Sequence, residues 1–142
     1  MLEVIGAVSA AIAIGAGAFG AHGASGQAAE WLRTGGFYQL IHAVAVVLLA
    51  KQASGPSAML LAGSVVFAAT LYLMAIGAPR WLGAITPIGG LLMIAGWLWL
   101  AWLRNASRAV FDKSRTVAFG TGTPSQALPC LRKRKVSRAA PR

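Results

Sequence analysis

Charged side chains are scarce in this 142-residue chain. They make up 11% of its residues and only three of them are acidic, whereas a soluble domain usually carries about a quarter charged residues. Hydrophobic residues account for 57% of the chain. A chain this apolar is not expected to be soluble, and its length predicts one membrane domain with an extension.

Cysteine and metal-ligating residues are also few. Cys130 is the only cysteine, which excludes an intramolecular disulfide and a cysteine-based metal cluster. The two histidines, His22 and His42, make a poor zinc set, and His22 is expected at the membrane interface, which disfavours bis-histidine haem. No serine has a carboxylate–histidine partnership to activate it. We therefore predict no enzyme activity, no cofactor and no metal site.

Long apolar segments are what the chain does contain, and each is long enough, or nearly so, to cross a bilayer as a helix. They predict an all-α membrane fold, a compact bundle of four transmembrane helices in a domain of residues 1–103. The first is expected to be a retained helix, because Met1-Leu2-Glu3 lacks the basic start of a signal peptide. The four predicted spans are residues 4–21, 35–50, 58–76 and 82–102.

The segments between and within these spans give further expectations. Residues 22–36 read as a polar connection with a short interfacial helix at 27–33, which leaves the second span only about 24 Å long. Pro87 either lies in the first turn of the fourth helix or, if that helix begins at Leu82, kinks it. Two rows of small residues in the first span predict close helix packing: Ala7, Ala11 and Gly15, and Ala13, Gly17 and Ala21.

Basic residues are concentrated at the carboxyl end. Residues 1–103 contain three basic and two acidic side chains, whereas residues 104–142 contain ten basic and one acidic. A short surface helix is predicted around Val110 and Phe111, and a disordered tail from Thr116. The run Arg132–Lys135 lacks interleaved aromatic residues, so anionic lipid headgroups are the predicted partner of the tail rather than nucleic acid. In the inner membrane, where we expect this protein, the positive-inside rule predicts that both termini lie in the cytoplasm.

Three polar residues of the second span, Tyr38, Gln39 and His42, are predicted to share one helix face. An ionisable side chain inside a membrane is by default a candidate functional site. One interpretation is an interhelical hydrogen-bond network, with Ser64, Thr70 or Thr86 as partners. The other is a proton relay or a small-solute site. A relay needs a nearby acid, and the one candidate, Glu30, is expected at the interface, so the structural interpretation is favoured.

Several short motifs together resemble the domain-of-unknown-function 423 family of small membrane proteins. The resemblance covers about residues 1–103 and implies a small multi-spanning helical membrane protein, without catalytic residues to carry over. The family pattern shares positions His22, Tyr38, Gln39, His42, Thr86 and Pro87, and has no counterpart to the tail from about Thr116. The motifs are Gly15-A-G-A-F-G-A-H-Gly23, Tyr38-Q-L-I-H-Ala43, Leu71-Tyr-Leu73 and Gly83-A-I-T-P-I-G-G-L-L-M-I-A-G-Trp97.

Two functions remain open on this basis. The favoured prediction is a structural or interaction component of the membrane, which packs with itself or with another membrane protein through small-residue helix faces. The alternative is a small transporter or channel component that uses the polar face around His42.

Overall fold

Four long helices form the part of the chain that the structure describes. The structure, a computed structural model, describes the backbone of residues 1–120 and the side chains of residues 1–109. This part of the chain contains no strand, and four of its segments are long and apolar enough to cross a membrane. The predicted all-α membrane fold is therefore confirmed. The helices are α1 (Leu2–His22), α2 (Gly26–Leu49), α3 (Ser54–Ala75) and α4 (Thr86–Gly120), with a short 3-10 helix at Arg80–Ala84 before α4.

The second helix begins earlier than the sequence predicts. Residues 27–33, expected to form a separate interfacial helix, are the first turns of α2, whose first residue, Gly26, has a φ of +58°. These turns are held by burial, since Ala29 and Leu32 are packed inside the bundle. With 24 residues, α2 is about 36 Å long and is not a short span.

Proline 87 lies in the first turn of α4, which begins at Thr86. The missing N–H of proline has no helical partner at this position, so it leaves no hydrogen bond broken. The residues before it form the 3-10 helix. Of the two alternatives, the helix start is therefore correct, and a helix that begins at Leu82 and kinks at Pro87 is wrong.

Small residues bring α1 against α2. The buried positions of α1 are Gly6, Ser9, Ala13 and Gly20, and a Cβ atom added to Gly36 of α2 would lie 2.8 Å from the carbonyl oxygen of Ala13. Close backbone approach replaces the hydrophobic drive that is missing between helices in lipid. Of the predicted row Ala13, Gly17 and Ala21, Ala13 is buried and Gly17 is half-buried, whereas Ala21 is exposed. The other predicted row, Ala7, Ala11 and Gly15, is exposed.

Glycines also bring α4 against α3. A Cβ atom on Gly89 would lie 2.6 Å from the backbone nitrogen of Phe67 and 2.7 Å from the carbonyl oxygen of Gly63. Further along the same pair, a Cβ on Gly96 would meet Leu60 at 2.9 Å. In their apolar stretches, α2 and α3 are each 44% buried, whereas the first and last spans are each 22% buried. The two middle helices therefore form the centre of the bundle.

The chain divides into two compact units, Met1–Arg104 and Asn105–Arg142. In the second unit, the described backbone is helical through Gly120. The segment around Val110 and Phe111, predicted as a separate surface helix, is part of α4, and so are residues 116–120. The rest of the predicted disordered tail, including Arg132–Lys135, lies outside the described residues.

Candidate functional site

Gln39 connects three helices through its side-chain amide. It is 4% exposed. Its Nε2 donates a hydrogen bond to Ser9 Oγ of α1 over 2.9 Å, and its Oε1 accepts one from the Tyr72 hydroxyl of α3 over 2.8 Å. An amide supplies both a donor and an acceptor, so a single residue of α2 serves both neighbouring helices. This arrangement fixes how α1 and α3 sit on α2.

His42 connects α2 to α4, one helical turn further along. It is 6% exposed. Its Nδ1 lies 2.7 Å from the carbonyl oxygen of Tyr38, and its Nε2 lies 3.2 Å from Nε1 of Trp97. A carbonyl can only accept and an indole N–H can only donate. The neutral imidazole with its proton on Nδ1 therefore satisfies both contacts.

This pairing restricts the chemistry available to His42. A second proton on Nε2 would face the Trp97 N–H, so the two donors would oppose each other and the bond to α4 would be lost. The only acid proposed as its partner, Glu30, is exposed and pairs with Arg33 over 3.9 Å. It precedes His42 by twelve residues, about 18 Å along α2. The described residues thus give His42 two structural contacts and no acid to exchange protons with.

The side chain of Tyr38 does not take part in the hydrogen bonds of Gln39 and His42. It is 43% exposed, and its ring contacts those of Phe37 and Phe67, at centroid distances of 5.8 and 5.0 Å. Only its backbone carbonyl takes part, through His42. Of the three side chains predicted to share one helix face, those of Gln39 and His42 are buried and that of Tyr38 is not, because a residue one position before Gln39 is turned about 100° away on the helix.

The hydrogen-bond partners of Gln39 and His42 also differ from those expected. Ser64 bonds to the carbonyl of Leu61 in its own helix. Thr70 donates to the carbonyl of Phe67, so its single hydroxyl proton is used and Thr86 must be the donor in the 2.9 Å contact between the two threonines. This contact ties the start of α4 to α3. The predicted partners thus form hydrogen bonds within α3 and between α3 and α4, and none of them is bonded to Gln39 or His42.

Ser9, Tyr72 and Trp97 are the partners that sequence reasoning missed. Ser9 lies on the buried face of α1, at the spacing of Gly6 and Ala13, and that spacing was the available signal. Tyr72 and Trp97 stood out in the sequence only as members of the family motifs Leu71-Tyr-Leu73 and Gly83–Trp97. We define the polar cluster as the residues that these hydrogen bonds join, namely Ser9, Gln39, His42, Tyr72 and Trp97.

The two histidines are not brought together. His22 is exposed at the end of α1, whereas His42 is buried sixteen residues into α2, about 24 Å from the turn that joins the helices. Among residues 1–109, no group of three or more histidine, cysteine, aspartate and glutamate side chains could hold a metal ion. Neither a shared metal nor bis-histidine haem fits this placement.

An apolar groove of about 270 Å³ opens beside the cluster, between α1 and α3. Its floor is formed by Ser9, Gln39 and Tyr72, whose polar atoms are bonded to one another. Aliphatic side chains form its walls, and in a membrane those walls face acyl chains. The lining residues are Ile5, Val8, Ser9, Ile12, Gln39, Val65, Ala69 and Tyr72.

The fold and the cluster together define a four-helix integral membrane protein whose buried polar side chains bond helix to helix. The family model described as a protein of unknown function, DUF423, matches residues 16–90 of the chain. This range holds the second and third helices and the start of the fourth, with Gln39 and His42 inside it. The chain belongs to the DUF423 family, as its motifs implied.

Relatives described as UPF0382 membrane proteins come from several bacteria. A UPF0382 membrane protein of Staphylococcus haemolyticus is 38% identical, over 68% of this chain and 88% of the relative. The UPF0382 membrane protein YwdK of Bacillus subtilis is 37% identical, over 67% and 88%. One from Haemophilus influenzae is 36% identical, over 68% and 86%. These names and the four apolar helices establish a membrane protein. No solved structure matches the chain.

Proposed function

We propose that this protein is a non-enzymatic component of the cell inner membrane, which acts by packing with a second copy or with another membrane protein. The observation that carries the proposal is a small-residue row of α1 that the bundle does not use. The face of α1 with Gly6, Ser9 and Ala13 packs inside the bundle, whereas the row Ala7, Ala11 and Gly15 faces outward. A small-residue face allows a neighbouring helix to approach closely in lipid.

The hydrogen bonding of the buried polar groups supports the same proposal. The polar side chains of Gln39 and His42 have partners inside the bundle, and no observation favours the transporter or channel alternative. A Cβ atom added to Gly15 would meet no atom within 4 Å, so this part of α1 is open to an incoming helix. A second copy would meet it through the same face, as in the symmetric dimers that are commonest among homo-oligomers.

Disulfide crosslinking in native membranes tests this proposal. In a Cys130→Ser background, Ala11→Cys is expected to give mostly crosslinked dimer on mild oxidation, because a disulfide needs Cβ atoms within about 4.5 Å. Leu98→Cys, on the exposed face of α4, is the matched control and should remain mostly monomeric. The readout is the dimer fraction on non-reducing gels, and a heavier crosslinked species with Ala11→Cys identifies a different partner. If Ala11→Cys crosslinks no more than Leu98→Cys, this face is not the interface.

The proposed orientation has both termini in the cytoplasm. Lys51 and Arg104 lie at the same end of the bundle as the amino terminus, where Lys51 is 3.7 Å from Glu3 and Arg104 bonds to Gln52. Further basic residues follow in the chain, and positively charged flanks stay on the cytoplasmic side. The tail would then meet anionic headgroups of the cytoplasmic leaflet, at about 1 kcal/mol per basic residue close to the surface. We propose no nucleic-acid partner.

A reporter fusion checks this orientation. A fluorescent protein fused after Arg115 should fold and emit in the cytoplasm, whereas alkaline phosphatase at the same site should be at the background level of an unfused cytoplasmic control. The same pair placed in the turn after His22 should give the reverse pattern, since an odd number of spans then precedes it. Phosphatase activity after Arg115 would invert the proposed topology.

A further inference from the structure

A second cavity, of about 400 Å³, lies at the end of the bundle where α1 turns into α2. Three parts of the chain form its walls: Gln27 and Trp31 of α2, Met74 of α3, and Arg80 and Gly83 of the 3-10 helix. The 3-10 helix lies against α3 here. A Cβ atom added to Gly83 would be in ordinary van der Waals contact with Met74 Sδ, at 3.6 Å. The cavity is thus built by the tertiary fold.

The lining of this cavity suits an anion. Its polar residues are Gln27 and Arg80, which both carry N–H donors, and none of its lining residues is a carboxylate. Glu30, the acid at this end of the described chain, is already paired with Arg33 over 3.9 Å. Within residues 1–109, Arg80 has neither an ion pair nor a side-chain hydrogen bond. A guanidinium without a carboxylate at the wall of a cavity is available for an incoming anionic group.

The position of the cavity indicates which anion it meets. Trp31 is part of its wall, and the neighbouring Trp81 is 66% exposed. Tryptophans at the ends of membrane helices lie at the level of the lipid headgroups, where the abundant anionic group is the phosphate of a phospholipid. The guanidinium fork of arginine matches two phosphate oxygens at once. The apolar part of the wall, including Met74, suits the glycerol and the first acyl carbons rather than a free ion in water.

We propose that this cavity binds the phosphate of an anionic phospholipid in the leaflet at the α1–α2 end of the bundle. Arg80 and Gln27 donate hydrogen bonds to the phosphate oxygens, and Met74 contacts the apolar part of the lipid. Basic pockets between membrane helices bind anionic headgroups in the same manner. The inference is independent of self-association through α1, which uses a different surface.

Native mass spectrometry with added phosphatidylglycerol tests the site on the full-length protein. All samples carry glutamine at Arg132–Lys135, which removes this run of four adjacent basic residues from the reference and from every variant alike. Arg80→Gln is expected to weaken binding of the first phosphatidylglycerol about fivefold. Gly83→Leu keeps the cation and fills the cavity, and it should weaken binding at least as much. Arg104→Gln removes a cation at the other end of the bundle, where it bonds to Gln52, and should bind as the reference does.

Further variants and measurements distinguish a lipid site from surface electrostatics and from a site for a free anion. Arg80→Lys retains the charge without the fork, and should fall between Arg80→Gln and the reference. Unfolding midpoints measured without added lipid establish that each variant is folded. Unchanged binding by Arg80→Gln overturns the site, and a loss with Arg80→Gln but not with Gly83→Leu reduces it to surface electrostatics. Displacement of phosphatidylglycerol by millimolar inorganic phosphate would make the ligand a free anion and overturn the lipid assignment.

Discussion

Gly89→Ala is expected to destabilise the bundle by about 2 kcal/mol, in the range of overpacking a well-filled interface. Its added Cβ atom would lie 2.6 Å from the Phe67 nitrogen and 2.7 Å from the Gly63 carbonyl oxygen. Both are backbone atoms, so no side chain can rotate away, and α3 and α4 must separate. Separation loses contact along the whole pair, including the approach of Gly96 to Leu60. The measurement is unfolding in mixed micelles with a rising fraction of sodium dodecyl sulfate.

The adjacent residue provides the control. A Cβ atom added to Gly90 would meet nothing within 4 Å, so Gly90→Ala brings only the helix propensity of alanine, a gain of up to about 1 kcal/mol. Because both variants gain the same propensity, the difference between them isolates the interhelical contact. The loss of about 2 kcal/mol expected for Gly89→Ala is a net value that already includes this gain, so the two variants should differ in stability by up to about 3 kcal/mol. Equal stability of the two variants would show that α3 and α4 do not approach closely at this point.

The sequence was sufficient to predict the elements that depend on composition. Four apolar segments separated by polar turns can satisfy their backbone groups in lipid only as helices, and that alone yields the all-α fold. The position of Pro87 narrowed the start of α4 to two choices. The second helix was misplaced because residues 27–33 are polar enough to read as a connection. Their helical state depends on the burial of Ala29 and Leu32, which is a tertiary contact.

The candidate site could be predicted only in part, again because the rest of it depends on tertiary contacts. Gln39 and His42 were identifiable as polar groups deep in an apolar helix, and both are buried and bonded. Their partners depend on how each helix is rotated about its own axis. Helical spacing alone does not determine that rotation when nearly every position is apolar, because the membrane faces and the packed faces then have similar compositions. The glycines of α1 and its one serine, Ser9, carried more of that information than the aromatic residues did.

Gln39→Leu is expected to destabilise the protein by about 1–2 kcal/mol, because hydrogen bonds between membrane helices average about 0.6 kcal/mol and reach about 1.7. The change removes both bonds of the amide and leaves the hydroxyls of Ser9 and Tyr72 unpaired beside an apolar side chain. Ser9 can recover by bonding to a carbonyl of its own helix, whereas the Tyr72 hydroxyl has no such substitute. The same unfolding titration measures the loss.

The matched comparison uses the two tyrosines. Tyr72→Phe should lose part of the same energy, whereas Tyr38→Phe changes an exposed side chain outside the cluster and should stay within about 0.5 kcal/mol of the reference. Adding Ser9→Ala and Tyr72→Phe to Gln39→Leu removes every unpaired hydroxyl at once, and this triple variant should recover most of the loss. Failure to recover would mean that the shape of Gln39, rather than its hydrogen bonds, holds the three helices. A recovered triple variant would show that apolar packing can replace the hydrogen bonds that join Ser9, Gln39 and Tyr72.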